Sequence, residues 1–440
     1  MTYRIPEGIG ALAAWLFFVL MLTCCWSPAL CQDRAVLVEA RGNRQMRLAV
    51  EVPRGSTLTE QAPLMARELG DVISFDLNLS GVVAAETREI LPFPEVIGFG
   101  AVDFSPWAAG GFDLLARGEY TLKGDELTVE LRLFEVHSRK LMLTRRYFGA
   151  KADLRRFAHA FSDEILLAMT GERGSFSSKV AFVTTKSGNK EIAVMEWDGY
   201  NITPVTSNGS INLNPDFSPD GSQLIFTSYK SGNPDLYRRA LGTSTDLPVS
   251  RRKGLNITAT WSPGGGEIAL TLSKDGDSEI YTINRDGANP MRLTVNPAID
   301  VSPAWSPDGR QIAFVSDRLG RPQIFVMDAN GGNVRRLTPS GNYNVTPRWS
   351  PKGDRITYAR MQNGTFQVYT INADGSGDTQ LTSTGSNENP AWSPDGRLIM
   401  FASKRNGSPE ALYVMRADGS SQVKVSRGTG AASQPAWARQ

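Results

Sequence analysis

Residues able to perform acid–base chemistry are few in this chain of 440 residues. The histidines are His137, in a predicted hairpin turn, and His159, beside Phe157 and Phe161 on a predicted helix. Residues 172–440 contain no histidine, which excludes a Ser-His-Asp arrangement or a histidine-held metal there. We interpret His159 as a helix-surface or partly packed residue rather than a catalyst.

Aspartates recur in one sequence context, at Asp220, Asp308 and Asp395. Each follows Ser-Pro and precedes Gly, a combination that favours a tight turn, and the equivalent positions hold Gly264 and Lys352. The chain has no Gly-x-Ser-x-Gly, phosphate-loop or His-Glu-x-x-His motif. We therefore predict no enzymatic activity, no cofactor and no metal.

A second polar set recurs every 43 or 44 residues. Its members are Asn212, Asn256, Asp300, Asn344 and Asn387. One interpretation is local hydrogen bonding in turns. The other is a ring of donors and acceptors that binds the backbone of a polypeptide, or a cation. Arg318, Arg321, Lys274 and Lys404, in neighbouring loops, are expected to border the same face.

An aromatic repeat explains this spacing, because it recurs every 43 to 45 residues. The markers are Phe217, Trp261, Trp305, Trp349, Trp392 and Trp437. Most lie in a Trp-Ser-Pro-Asp-Gly-like segment, and Asp-Gly or Asn-Gly pairs mark a second turn in most units. Alternating runs between the turns indicate short strands, so the pattern predicts six four-stranded blades of a β-propeller. Each Trp should pack between neighbouring blades.

The two ends of this region appear complementary in the sequence. Residues 435–437 supply only a first strand, whereas residues 179–183 form a second strand that no first strand precedes. We predict that they complete one blade, which closes the ring and removes exposed edges. The five polar positions would then lie at the entry to the innermost strands, around one mouth of the central channel.

Residues 32–171 have a different pattern and predict a mixed α/β domain. A strand over 46–52, a helix over 58–79 and three alternating runs over 112–121, 127–134 and 140–148 precede a last helix over 152–169. The predicted fold class is thus α+β and all-β in two domains, with a linker at 172–178 and the propeller over 179–440.

The first 31 residues resemble a secretory signal peptide. Arg4 precedes an apolar run over 11–26, and cleavage is expected after Ala29 or Cys31. A membrane-spanning helix is the alternative, but the run is short for a bilayer. All three cysteines lie at or before Cys31, so no disulfide is expected in the mature chain.

The repeats behind a secreted α/β domain resemble the TolB family, the periplasmic component of the Tol-Pal system. The resemblance covers nearly the whole chain after the signal and includes Asp76-Leu77-Asn78-Leu79-Ser80-Gly81. It implies a periplasmic scaffold that binds the lipoprotein Pal at the propeller mouth, through the loops that carry the five polar residues and Arg318 and Arg321. It also implies contact with the C-terminal domain of TolA through the mature N-terminal segment, here Gln32, Asp33, Arg34 and Val36.

In that family the system maintains the outer membrane, supports its constriction at cell division and is exploited by colicins. We expect a monomer that does not insert into the membrane. A net charge of +2 gives no basic stripe for nucleic acid. The alternatives are a propeller hydrolase or lyase, which would need a hydrolase domain or channel histidines that the sequence lacks, and a glycan-binding propeller of the cell envelope.

Overall fold

The computed structural model of the protein describes residues 45–55, 62–88, 102–405 and 407–439. The first described domain is built on one mixed sheet, and the fold class predicted from the sequence is confirmed. Its strands are β1 (Met46–Glu51), β2 (Arg54–Gly55), β3 (Val83–Arg88), β4 (Leu114–Lys123), β5 (Glu126–Glu135) and β6 (Lys140–Ala150). Their order is β3-β1-β4-β5-β6, with β2 beside β4.

Three helices accompany this sheet: α1 (Ala62–Ser80), α2 (Ser105–Ala109) and α3 (Leu154–Thr170), the last preceded by a 3-10 turn at Lys151–Asp153. Helix α1 ends before Gly81, and α3 ends at Gly171, whose φ of 76° is accessible to glycine without strain. The predicted helix ends are confirmed, while residues 58–61 lie outside the described residues. None of the described helices is long and apolar enough to cross a membrane.

The sequence did not predict β2, β3 or α2. Strand β3 reads Val-Ala-Ala-Glu-Thr-Arg, which lacks alternating bulky side chains. It forms because it pairs in parallel with β1 along its full length.

The described part of the second domain contains six four-stranded antiparallel sheets, as predicted. The closing blade begins with β7 (Lys179–Thr184), β8 (Glu191–Glu196) and β9 (Thr203–Pro204). Blade 1 contains β10 (Asn212–Phe217), β11 (Gln223–Ser228), β12 (Asp235–Ala240) and β13 (Leu247–Ser250). Blade 2 contains β14 (Asn256–Trp261), β15 (Glu267–Leu272), β16 (Glu279–Asn284) and β17 (Met291–Arg292).

The remaining blades repeat this arrangement. Blade 3 contains β18 (Asp300–Trp305), β19 (Gln311–Ser316), β20 (Gln323–Asp328) and β21 (Arg335–Arg336). Blade 4 contains β22 (Asn344–Trp349), β23 (Arg355–Gln362), β24 (Thr365–Asn372) and β25 (Thr379–Gln380). Blade 5 contains β26 (Ser386–Trp392), β27 (Leu398–Lys404), β28 (Ala411–Arg416) and β29 (Val423–Lys424). Strand β30 (Ala432–Trp437) pairs with β7 and completes the closing blade.

The repeated residues form the seams and turns between these strands. Trp305 packs with Ala269 and Ile280 of the preceding blade, which confirms the predicted position of the markers between blades. A Cβ at Gly287 would collide with the carbonyl oxygen of Val249 in the preceding blade, so this Asp-Gly turn allows close contact at the outer edge.

The aspartates of the Ser-Pro-Asp-Gly segments stabilise the turns by accepting local hydrogen bonds, as predicted. Asp308 accepts hydrogen bonds from the Ser306 hydroxyl at 2.6 Å and from the Arg310 backbone at 3.0 Å. Equivalent hydrogen bonds from Ser218 and Ser222 lower the pKa of Asp220 to about 2. The local bonds account for the repeated carboxylates without any catalytic role.

The first domain packs against the propeller face that carries these turns. Phe75 of α1 stacks on Trp197, with ring centroids 5.6 Å apart. Arg416, at the end of β28, donates hydrogen bonds to the carbonyls of Asn78 and Leu79. The mouth, where the innermost strands begin, lies on the opposite face.

Candidate partner-binding surface at the propeller mouth

The five polar side chains predicted to ring the mouth are buried. Asn212, Asn256, Asp300, Asn344 and Asn387 each have a relative exposure of 0%. They begin or enter the innermost strands, as expected, but their side chains are enclosed within the propeller, and four of the five bond to the preceding blade. These side chains therefore hydrogen-bond within the protein and do not form an exposed ring.

Their hydrogen bonds show what they stabilise. Asn344 donates to Gln323 at 2.7 Å and to the Ser340 carbonyl at 2.9 Å, and it accepts from Arg360 at 2.9 Å. Asn256 accepts from Ser250 at 2.6 Å and donates to the Arg252 carbonyl at 2.7 Å. Gln323 and Ser250 belong to the preceding blades, so Asn344 and Asn256 tie the loop before the innermost strand to the seam between two blades. Their contribution to partner binding would be to hold that loop in place.

The basic residues predicted at the rim differ from one another. Arg318 donates to Asp300 and to Ser316, each at 2.8 Å, and lies over the Phe325 ring at 5.0 Å. Its positive charge is therefore neutralised by Asp300 of the same blade. Lys274 pairs with the neighbouring Asp275 at 2.5 Å. Arg321 and Lys404 are exposed. Of Arg318 and Arg321, only Arg321 presents its side chain freely to solvent.

Exposed apolar residues lie directly beside the buried ring, and sequence reasoning missed them. Ile211, Ile299 and Tyr343 each immediately precede a ring residue, with exposures of 45%, 53% and 39%. Their carbonyls accept hydrogen bonds at or just beyond the end of the second strand, as Tyr343 does from Met361 N at 2.9 Å. The other blades have Leu255, Ser386 and Ala431 at this position, so no uniform repeat marks the site.

These residues concentrate on two adjacent blades. Val295 and Ile299, in the segment that enters blade 3, and Leu319 of blade 3 are exposed by 75%, 53% and 61%. Tyr343 and Met361 belong to the next blade, blade 4. We call these five residues the apolar rim. Tyr343 also makes an edge contact with Phe366, at 5.9 Å between ring centroids. The apolar rim and Arg321 give the mouth the mixed apolar and basic character of a protein-binding surface.

A second ring, two residues further along each innermost strand, lines the channel. Its members are Asn214, Thr258, Ser302, Thr346, Asn389 and Gln434, all with φ between 50° and 57°. Each lies at a shift in strand register, which marks a β-bulge. These residues surround a constriction of about 30 Å³. A macromolecular partner would therefore engage the mouth from outside, because the channel narrows directly below it.

His159 is buried between the two domains, so its interpretation as a surface or partly packed residue is corrected. Its Nδ1 lies 2.8 Å from Asp76, and its Nε2 lies 3.4 Å from Asp198, at the end of the closing blade's β8. Arg155 also pairs with Asp198. Although burial disfavours the charged imidazole, the nearby carboxylates raise the pKa of His159 to about 10.

His159, Glu196 and Asp198 offer ligand atoms within 4.8 Å of one another, which is the geometry of a possible cation site. The guanidinium of Arg155 already pairs with Asp198, and the carboxylates around His159 favour its protonated form. A metal needs neutral imidazole and free carboxylate oxygens. The cluster is therefore better described as an ion network that joins the domains. His137 is in a turn, as predicted, and its side chain is largely exposed.

The sequence comparisons decide the family. The profile described as the TolB beta propeller domain matches residues 167–440, and that of the TolB amino-terminal domain matches residues 35–142. The chain belongs to the TolB family. The resemblance stated from the repeats and the α/β domain is confirmed.

Individual TolB proteins agree with this assignment. The chain is 54% identical over 211 residues to the Tol-Pal system protein TolB of Geobacter metallireducens, covering 48% of this chain and 49% of that protein. It is 52% identical over 206 residues to the Tol-Pal system protein TolB of Geobacter sulfurreducens, covering 46% and 48%. The matched part of the chain thus spans about half the length of these curated relatives.

The crystal structure of TolB from Acinetobacter baumannii matches over most of the chain. It superposes with a TM-score of 0.78 at 26% identity, covering 90% of this chain and 98% of that one. The TolB architecture therefore extends across both domains. Gln32, Asp33, Arg34 and Val36, predicted to contact TolA, lie outside the described residues.

Proposed function

We propose that the chain is a periplasmic, non-enzymatic scaffold of a Tol-Pal system that binds Pal at the propeller mouth. It would bind the C-terminal domain of TolA through residues 32–44. In this role it would maintain the outer membrane and support its constriction at cell division. The observation that carries the Pal proposal is the apolar rim on blades 3 and 4, supported by membership of the TolB family.

The rim has the chemistry of a protein interface. Large apolar side chains exposed together are uncommon on a monomer's surface, and aromatic and arginine residues are enriched in interfaces. Tyr343 and Arg321 supply these two types beside Ile299. The buried Asn344 and Asp300 fix the loops from which Tyr343 and Ile299 project, so the surface is held in shape before a partner arrives.

Calorimetric titration with the soluble periplasmic domain of Pal tests the site. Ile299→Asp combined with Tyr343→Asp should weaken binding by at least about tenfold, because a buried charge would replace apolar contact. Met291→Asp, on the exposed outer strand of blade 2, is the matched control and should bind like the parent. Equal affinities for the two variants would overturn the mouth as the binding site, and absence of heat with the parent protein would overturn Pal as the partner.

The TolA proposal needs a separate experiment. Removal of residues 32–36 should abolish binding of the TolA C-terminal domain and leave Pal affinity unchanged. If the shortened chain binds TolA like the parent, the contact lies elsewhere.

A further inference from the structure

A chamber of about 400 Å³ lies in the channel beyond the constriction, at the end nearer the first domain. Its walls include Trp305, Trp349, Trp392 and Trp437. Arg173, from the segment that joins the domains, borders it. This end of the channel is separate from the mouth, and the inference drawn from it does not depend on the proposed function.

One position of the innermost strands sets the chemistry of the chamber. The six blades have Asp216, Thr260, Ala304, Arg348, Ala391 and Ala436 there. Three alanines leave space, while the two charged residues lie three blades apart in a ring of six. Asp216 and Arg348 therefore face each other across the channel.

Asp216 and Arg348 differ in the hydrogen bonds that their charged groups form. Asp216 accepts hydrogen bonds from Thr260 at 3.1 Å and from the Trp261 backbone at 2.9 Å, both in the next blade. The guanidinium of Arg348 makes one long hydrogen bond, 3.3 Å to the carbonyl of Pro347. No carboxylate of the described residues lies within ion-pairing distance of it. Burial lowers the pKa of Arg348, although the carboxylate of Asp216 across the channel acts in the opposite direction.

The charge balance at the chamber favours an anion. The lining residues include two guanidinium groups, Arg348 and Arg439, and the carboxylate of Asp216. The other charged groups at the chamber are paired: Asp395 lies 3.7 Å from Arg397, and Arg173 lies 2.9 Å from Glu164. One positive charge therefore remains at the chamber. The planar guanidinium of Arg348 matches the geometry of an oxyanion.

We propose that the chamber is a binding site for a small oxyanion, a carboxylate or a phosphate, held by Arg348 in the channel. The oxyanion accepts two parallel hydrogen bonds from the guanidinium, and the surrounding tryptophans exclude water. Its location beside Arg173 puts the ligand next to the segment between the domains.

Binding of succinate and of inorganic phosphate to the purified protein tests this site, with chloride at equal ionic strength as the reference. Tryptophan emission should respond, because four indoles line the chamber. Saturation by succinate alone would identify a carboxylate site, and saturation by phosphate alone a phosphate site. Absence of saturation by either at millimolar concentration would overturn the proposal.

Variants locate the site. Arg348→Met should weaken binding by at least about tenfold through loss of charged hydrogen bonds. Asp216→Asn should tighten oxyanion binding, because the substitution removes the negative charge opposite Arg348. Arg310→Met, on an exposed turn, is the control and should bind like the parent. If Arg348→Met does not fold, Arg348→Lys is the alternative. It keeps the positive charge but loses the two parallel N–H donors, so it should still bind the oxyanion more weakly. Binding that is unchanged in folded Arg348 and Asp216 variants would refute the assignment.

Discussion

The imidazole Nδ1 of His159 lies 2.8 Å from a carboxylate oxygen of Asp76, and both side chains are almost fully buried. His159 belongs to α3, Asp76 belongs to α1, and Asp198 of the propeller lies on the other side of the ring. The histidine thus joins two helices of one domain to a blade of the other.

His159→Gln should remove a pH dependence of stability. The native pKa of about 10 lies above the unfolded value of 6.5, so the stabilisation is complete below pH 6.5 and is lost as the pH rises towards 10. Over that range the unfolding free energy of the parent should fall by up to about 1.4 kcal/mol per pH unit relative to the variant. Asp76, Asp198, Glu196 and Arg155 are the charged groups around the ring.

Urea unfolding at pH 6.5, 8 and 9.5 measures this difference. His137→Gln is the control, because His137 is largely exposed and 3.9 Å from Asp113. A constant gap between the parent and His159→Gln at the three pH values would mean that His159 is neutral in the folded protein.

Trp305→Ala should reduce the unfolding free energy by about 3–5 kcal/mol, as for other buried large aromatics. Trp305 is 6% exposed and fills the seam between blades 2 and 3. Denaturant titration measures the change, with Arg310→Ala on the adjacent exposed turn as the reference. A loss below about 1 kcal/mol would contradict a seam role.

Asn256→Ala and Asn344→Ala should each reduce the unfolding free energy by about 1–3 kcal/mol, because buried partners lose their hydrogen bonds. Both side chains are fully buried. Differential scanning calorimetry measures the loss, with Asn189→Ala at an exposed turn as the reference. A melting temperature as high as that of Asn189→Ala would show that these hydrogen bonds do not stabilise the fold.

Thr346→Asn should stabilise the protein by a few tenths to about 1 kcal/mol. Thr346 has a φ of 53°, which is unfavourable for a β-branched residue, and its hydroxyl is buried without a hydrogen-bond partner. Asn adopts this conformation at the equivalent Asn214 and Asn389. Thr379→Asn, on an exposed outer strand, should not stabilise. A lower melting temperature for Thr346→Asn than for Thr379→Asn would show that the Thr346 side chain makes a needed contact.

The repeat predicted the fold well because consecutive residues form each of five blades, and the sixth combines the two ends of the same repeat. The spacing of Trp261, Trp305 and Trp349 was enough to give the blade number and the seams. The channel lining was not predictable in this way. A bulge between Val345 and Arg348 changes the strand register. Thr346 therefore lines the channel, while Asn344 is buried and bonds to Gln323 of the preceding blade.

The candidate surface and the ion network were missed for other physical reasons. The position of Ile299 and Tyr343 holds residues as different in size as Leu255, Ser386 and Ala431 in other blades, so no uniform repeat reveals them. His159 shares the apolar stripe of its helix with Phe157 and Phe161, but its partner Asp198 lies on the propeller. Contacts between domains leave no local pattern in a sequence.

The pairing of β30 with β7 also bears on how the protein folds. The two strands are separated by about 250 residues, so β7 keeps one edge unpaired until β30 reaches it. Such an edge can pair with another chain. This one junction therefore determines when the folding protein becomes safe from aggregation.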